Sequence, residues 1–525
     1  MRNFFLPGRS PVYAAHAAAA TSHPLSTFVA IDILRSGGNA VDAGVAAAAI
    51  QCVADPLMTG IGGDCFALLA SKGRAVPVAL NGSGRAPAAA HAEWYRERGI
   101  DITQYSPHAV MVPGAIGAWA RLVEDHGTRS LDELLQPAIH LAEDGYVIQS
   151  RVAWDWFRNQ RIAASDSDTA AAYLVDGRPP GAGERMRHPR LAATLRAIGK
   201  SGPAAFYEGA IANDMVTKLR SLGGLHTLDD FANARPDYVE PISTNYRGYD
   251  VFECPPNGQG LAALMMLNVL SGYDVGGMTD ADRIHVFAEA SKQTHLHRNK
   301  LFGDPSIENV PVDDLLSADW HRRARAQIDL ARARPPVFWP PKPHKDTIYL
   351  CVVDAEGNAL SLINSLFEPF GSGILAPGSG VMFNNRGYSF NLEEGHPNCI
   401  APRKRPMNTI IPGMLMREGQ MVAPFGVMGG HYQAMGHVEL LTGIIDRRLD
   451  VQEALNAPRS FAHDDVLELE PLFSPELETE LQRRGHQIAR PIVPLGCGQI
   501  IWADRQNGTL IAGSDYRKDG NAAGF

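Results

Sequence analysis

Two apolar runs of equal length, "TIYLCVV" (347–353) and "ALSLINS" (359–365), flank the turn-forming "DAEGN". This pattern predicts a β-hairpin of buried strands. Pairing Val353 with Ala359 and walking outward sets Thr347 opposite Ser365, where two hydroxyls can hydrogen-bond across the strands. Upstream lies "ARPPVFWPPKPHKD" (333–346), with prolines at 335, 336, 340, 341 and 343. Such a stretch carries no regular ladder and reads as an extended, exposed linker. The change of character near residue 345 is the strongest organisational mark in the chain.

Before that mark, helix signals dominate. "SHPLSTFVAIDILRSGGNAVDAGVAAAAIQCV" reads as two helices separated at Gly37-Gly38, and "ADRIHVFAEASKQTHLHRNKLFGD" as one long helix. After the mark come strands and turns. At 525 residues the chain suits one large α/β unit or two intertwined parts. A formal net charge of −9 argues against nucleic acid or an anionic membrane as partner. Ala40–Ala54 contains Asp42 and is too short and weakly apolar to span a bilayer, and residues 1–20 lack the continuous apolar core of a signal peptide. A cytoplasmic protein is expected. The six cysteines are scattered without a CxxC pair and read as buried thiols.

Thr347 begins its strand directly after Asp346 and the proline-rich stretch. Read locally, this is an ordinary strand start. A cut between Asp346 and Thr347 would give it another meaning. A threonine hydroxyl is a weak nucleophile without a base, and a new α-amino group with a pKa of roughly 7.7–8.0 supplies one near neutrality. Oxyanion donors are also required, and the backbone N–H groups of Gly429 and Gly430 in "GVMGGHYQ" are candidates at a strand-to-helix turn.

Motifs along nearly the whole chain resemble the γ-glutamyltranspeptidase family of N-terminal-nucleophile hydrolases. They include "DPLMTGIGGDCF", "MVPGAIGAW", "YRGYDVFECPPNGQG", "VVDAEGNALSLINSLFEPFGSGI", "FNNRGYSF", "KRPMNTIIP" and "GSDYRKDGNAAGF". The resemblance implies an α+β fold, the four-layer αββα sandwich. It implies self-cleavage at Asp346-Thr347, with Thr347 as nucleophile, Ser365 as its hydroxyl partner and Gly429-Gly430 as the oxyanion pair. Segments 1–346 and 347–525 would then be large and small fragments of one interlocked fold, alone or as a dimer of such heterodimers. No cofactor and no metal is expected.

In several positions the chain departs from that pattern. The residues that hold the substrate ammonium in true transpeptidases are replaced by Phe367, Arg386 and Ser389, and the serine pair after "KRP" is replaced by Asn408 and Thr409. An arginine suits a carboxylate and is ill suited to facing an ammonium. The family's early carboxylate-binding arginine has no counterpart in register; Arg85 stands two residues later, as a substitute or as a structural residue. The segment between "NN" and "KRP" is short, which implies an open site without a lid. The expected activity is an amidohydrolase acting on a small carboxylate or oxo-acid amide, such as oxamate. Glutathione hydrolysis, a dicarboxylic-acyl (cephalosporin-type) acylase and a non-catalytic binding protein are the alternatives. His295 and His297 lie two apart on a helix and point to nearly opposite faces, which disfavours a shared metal. "GIGGDCF" lacks the residues of a phosphate loop and reads as close packing near the site.

Overall fold

The computed structural model describes residues 8–336 and 347–525. Asp346 and three of the linker prolines, Pro340, Pro341 and Pro343, lie outside the described residues. Fourteen strands make two seven-stranded sheets. In chain order they are β1 (Val12–Ala14), β2 (Ala18–Thr21), β3 (Asp64–Ala70), β4 (Val78–Gly82), β5 (Asp237–Val239), β6 (Ile242–Tyr246) and β7 (Tyr249–Glu253). There follow β8 (Ile348–Val353), β9 (Ala359–Ser365), β10 (Gly413–Arg417), β11 (Gln420–Met428), β12 (Cys497–Asp504), β13 (Thr509–Ser514) and β14 (Asn521–Gly524). One sheet runs β1-β13-β12-β11-β10-β7-β6 and the other β14-β2-β8-β9-β3-β4-β5. Each sheet draws strands from both sides of residue 346.

The alternation of side chains along a strand explains the layering. Tyr349, Cys351 and Val353 of β8 pack in the core between the sheets. Ile348, Leu350 and Val352 face the other way, into a helix layer. That layer includes α1 (Pro24–Arg35) and α2 (Ala40–Ala54). The opposite sheet is covered by α3 (Gly260–Leu270), α4 (Asp280–Leu301) and α5 (Gln433–Ile445). The result is the expected αββα sandwich. The alanine-rich α2 is buried along its whole length because it lies so close to the sheet: a Cβ on Gly44 would come within 2.2 Å of the Leu360 side chain. Larger residues there would force the layers apart. No helix among the described residues is long and apolar enough to cross a membrane.

The hairpin has the anticipated register, with Val353 opposite Ala359 and Ile348 opposite Asn364. Asp354 organises its turn, accepting the N–H groups of Glu356 (3.0 Å) and Asn358 (2.9 Å) through Oδ1. Gly357 takes a φ of +87°, open to glycine at low cost. Five of the six cysteines are buried and Cys399 is half-buried, all as free thiols.

Burial also sets how the fold responds to acid. His188 and His226 are buried, and desolvation pushes each down to about 4. Each imidazole is therefore neutral when folded but titrates near 6.5 when unfolded. Their contribution is complete above pH 6.5 and is lost as pH falls towards 4, by about 1.4 kcal/mol per pH unit for each histidine. His23 and His486, lowered to about 3, act in the same sense, whereas Asp55, raised to about 6 by burial, opposes them. The urea midpoint should therefore fall between pH 7 and pH 5; a midpoint that rises on acidification would contradict this balance.

Candidate active site

Three polar side chains form a row across the centre of one sheet. Continuing the β8–β9 register by one step sets Thr347 opposite Ser365, and Ser365 in turn pairs with Asp64 on β3. Two residues further in, Tyr349, Ile363 and Phe66 share the core between the sheets, so the row points into the same interlayer space. All three are fully buried. Thr347 Oγ1 lies 3.0 Å from Ser365 Oγ. Ser365 Oγ also accepts the N–H of Phe367 at 2.9 Å, which leaves its own proton available to Thr347.

Asp64 organises the next shell of contacts. Its Oδ1 accepts the Gly84 N–H (2.8 Å), and its Oδ2 accepts Arg386 Nε (2.9 Å) and Asn408 Nδ2 (3.1 Å). Arg386 is fully buried, its Nη1 donates to Thr409 Oγ1 at 3.1 Å, and its Cζ lies 4.1 Å from the centre of the Phe367 ring. Its Nη2 is buried with no hydrogen-bond partner among the described residues. Desolvation lowers the guanidinium to about 10 while Asp64 pulls it back up, so it remains a cation at neutral pH. Phe367 adopts a φ of +88° to present its ring, a strained conformation for a non-glycine residue. Ser389 turns away from this group, its hydroxyl donating to the Arg386 carbonyl at 2.7 Å.

The Gly429-Gly430 turn lies at the same end of the sandwich. The far ends of β8 and β11 meet around a separate cavity of about 470 Å³ lined by Val353, Asp354, Gln420 and Met421. The opposite end of β11, where Gly429 follows Met428, therefore lies towards Thr347. Gly429 and Gly430 have φ of +129° and +57°, and a Cβ on Gly429 would come within 2.9 Å of Gly496 Cα. Among the described residues no hydrogen bond takes up either N–H. Gln259 Nε2 donates both to the Gly430 carbonyl (2.9 Å) and to the Thr409 carbonyl (2.8 Å), joining this turn to the Arg386 group. Beside these residues is a cavity of about 440 Å³, lined among others by Ser389, Met407, His431, Tyr388 and Arg298.

The γ-glutamyltranspeptidase family profile matches residues 26–525. The chain belongs to that family. It is 33% identical to the glutathione hydrolase-like YwrD proenzyme of Bacillus subtilis, covering 96% of this chain and 97% of the relative. It is 32% identical to the oxamate amidohydrolase proenzyme of Klebsiella pneumoniae, over 97% and 98%. The crystal structure of a cephalosporin acylase from Bacillus halodurans superposes with a TM-score of 0.94 at 38% identity, over 100% of this chain and 98% of the other. The chain is thus an N-terminal-nucleophile-type member of a hydrolase family whose relatives differ in substrate.

Within this family member, the anticipated residues divide into two groups. Thr347, Ser365, Phe367, Arg386, Asn408 and Thr409 are brought together by the contacts above, with Gly430 joined to them through Gln259. Arg85 is not among them: its guanidinium is held by Asp237 (3.1 Å), Asp304 (3.4 Å) and the Arg403 carbonyl (3.1 Å). Those contacts fit the structural reading of that residue. Asp64 and Gln259 were not singled out from the sequence. Both lie within the family-resembling motifs; Asp64 is also the sole charge in the apolar run "GIGGDCFALLA", whereas Gln259 carries no further signal.

Among the described residues, one group has metal-ligand proximity: His285, Glu289 and His486 lie with ligand atoms within 4.8 Å. Its atoms are engaged in hydrogen bonds. His285 bridges His486 Nε2 and the Asp329 carbonyl, both at 2.8 Å, and Glu289 accepts Lys292 Nζ (2.9 Å) and the Arg334 N–H (3.2 Å). This group anchors the chain at residues 329–334, ahead of the proline-rich stretch. His295 and His297 each bond a carbonyl four residues back (2.9 and 2.8 Å), and their rings lie against Phe461 and Trp320 respectively.

The buried Arg386–Asp64 pair makes a stability prediction. Arg386→Gln leaves an uncompensated buried carboxylate and should cost about 3–5 kcal/mol. Adding Asp64→Asn should recover most of that loss, read as the urea midpoint of the double variant. Additive losses in the double variant would show that the two side chains are not coupled.

Proposed function

We propose that the protein is a self-processing amide hydrolase with Thr347 as its nucleophile, acting on substrates that carry a carboxylate and no adjacent ammonium. In maturation, Thr347 Oγ1 attacks the Asp346 carbonyl and water completes the cut, freeing the Thr347 α-amino group. In turnover, that amine takes the hydroxyl proton as Oγ1 attacks the substrate amide carbon. The proton passes to the departing amine, leaving an acyl ester on Thr347. Water, deprotonated by the same α-amino group, then hydrolyses the ester to release the acid. Ser365 orients Thr347 Oγ1, and the N–H groups of Gly429 and Gly430 receive the developing oxyanion. Family membership and the 3.0 Å contact between Thr347 and Ser365 support the reaction half of this reading.

The substrate half is carried by one atom. Among the described residues Arg386 Nη2 is a buried donor without a partner, on a cation whose other faces are taken by Asp64, Thr409 and Phe367. A substrate carboxylate satisfies it; a substrate ammonium would meet a like charge. Asp64 offsets part of the arginine's charge, so the remaining contact is directional, at one edge of the guanidinium.

A second reading concerns the leaving group. Oxamate releases only ammonia and would leave the adjoining cavity of about 440 Å³ largely empty. That volume favours a bulkier amine, as in the acylase alternative.

Two substrates separate these readings from glutathione-type hydrolysis. Glutaryl-p-nitroanilide and γ-glutamyl-p-nitroanilide differ only in the α-amino group. The glutaryl compound should have the higher kcat/KM, by at least about tenfold, a charge-assisted contact being worth about 1.5–3 kcal/mol. A preference for the γ-glutamyl compound that survives Arg386→Gln would overturn the assignment of the pocket. Ammonia release from oxamate that exceeds p-nitroaniline release would exclude the bulky-amine reading. Thr347→Ala should stay uncleaved on a denaturing gel and release no p-nitroaniline.

A further inference from the structure

The segment "PPNGQG" (255–260) lies at the start of α3 and has no part in the chemistry described so far. It runs as a strap beneath Asn408 and Thr409. The Asn257 carbonyl accepts the Asn408 N–H at 2.8 Å, and the Asn257 side chain binds the Pro406 carbonyl (2.6 Å) and Ser83 Oγ (3.0 Å). Gln259 follows, fully buried. Its Oε1 accepts Arg298 Nη1 at 2.7 Å. A guanidinium only donates and a carbonyl only accepts, so the orientation of this amide is unambiguous. Both Nε2 hydrogens are directed at carbonyls, one on Thr409 and one on Gly430.

We infer that Gln259 is a positioning residue for the reaction, clamping the Gly429-Gly430 turn to the Arg386–Thr409 group. This rests on the reading above, in which those glycine N–H groups face the oxyanion of a Thr347 adduct. Two consecutive glycines in left-handed or otherwise open conformations flip at low cost, and each flip redirects an N–H. The Gly430 N–H shares a peptide plane with the Gly429 carbonyl, which accepts the Tyr432 N–H at 3.1 Å. One plane on, Gln259 holds the Gly430 carbonyl and with it the position of the Gly430 backbone. The second hydrogen ties the same amide to Thr409, whose hydroxyl accepts Arg386 Nη1. One primary amide therefore fixes the spacing between the carboxylate anchor and the oxyanion donors. Arg298, itself buried and hydrogen-bonded to Asn299 Oδ1, keeps the amide from rotating. Because the clamp acts on donors used when the oxyanion forms, its loss should appear in kcat and leave substrate binding little changed.

The test compares Gln259→Glu, which turns a carboxylate towards the two carbonyls, with Gln259→Met, which keeps the volume and removes the donors. Each is assayed with glutaryl-p-nitroanilide, with kcat normalised to the fraction of cleaved chain on a denaturing gel and folding checked by the thermal midpoint. The clamp predicts that in every variant that folds and cleaves, kcat per cleaved chain falls by at least about tenfold while KM stays within about twofold. A kcat within twofold of the parent in Gln259→Met, or a rise in KM at unchanged kcat, would overturn it. Failure of the underlying functional reading looks different: the parent protein releases no p-nitroaniline, or Thr347→Ala still does.

Discussion

The register of β8 on β9, continued from β9 to β3, is the constraint on which the rest of the site depends. It sets Thr347, Ser365 and Asp64 side by side on one face of a sheet. A one-residue slip in either pairing would turn a member of the row into the helix layer, where Leu350, Leu360 and Leu362 are packed. Slippage is costly because each face of β8 already fills a separate core, and a fully buried leucine contributes about 1.5–3 kcal/mol. The same hydrophobic pattern that stabilises the sandwich thus holds two hydroxyls 3.0 Å apart.

The charges in this row obey a different balance. Arg386 and Asp64 are both withdrawn from water, which is unfavourable for each alone, and their contact with help from Asn408, Thr409 and Gly84 offsets the penalty. What remains is one donor on a buried cation that no described residue pairs. In the family pattern a polar group for an ammonium is expected at that place; under the proposed function the exchange changes which substrate Thr347 can meet, while the hydroxyl pair stays intact. Gln259 links this pocket to the glycine turn through neutral hydrogen bonds, which introduce no further buried charge.

Much of this was legible in the chain. Equal strand lengths around "DAEGN" were enough to place Thr347 against Ser365, and 3.6-residue periodicity located α1, α2 and α4. The family motifs supplied the four-layer sandwich, which local patterns do not specify. Asp64 and Gln259 escaped notice because their roles arise from partners at least 150 residues away: Asp64 meets Arg386, and Gln259 meets Thr409 and Gly430. Arg85 stayed open between two readings for the same reason, since Asp237 and Asp304 that engage it share no local pattern with it. Burial of every residue in α2 was also hidden, because its alanines reveal close packing only once Leu360 is placed against Gly44.

Intact-mass measurement of the purified protein, quenched in acid during turnover of glutaryl-p-nitroanilide, tests the central claim most directly. Two fragments should be seen, the smaller beginning at Thr347 and carrying a transient glutaryl adduct that maps to that residue. A single uncleaved chain that nevertheless turns the substrate over, or an adduct on any other residue, would contradict the account.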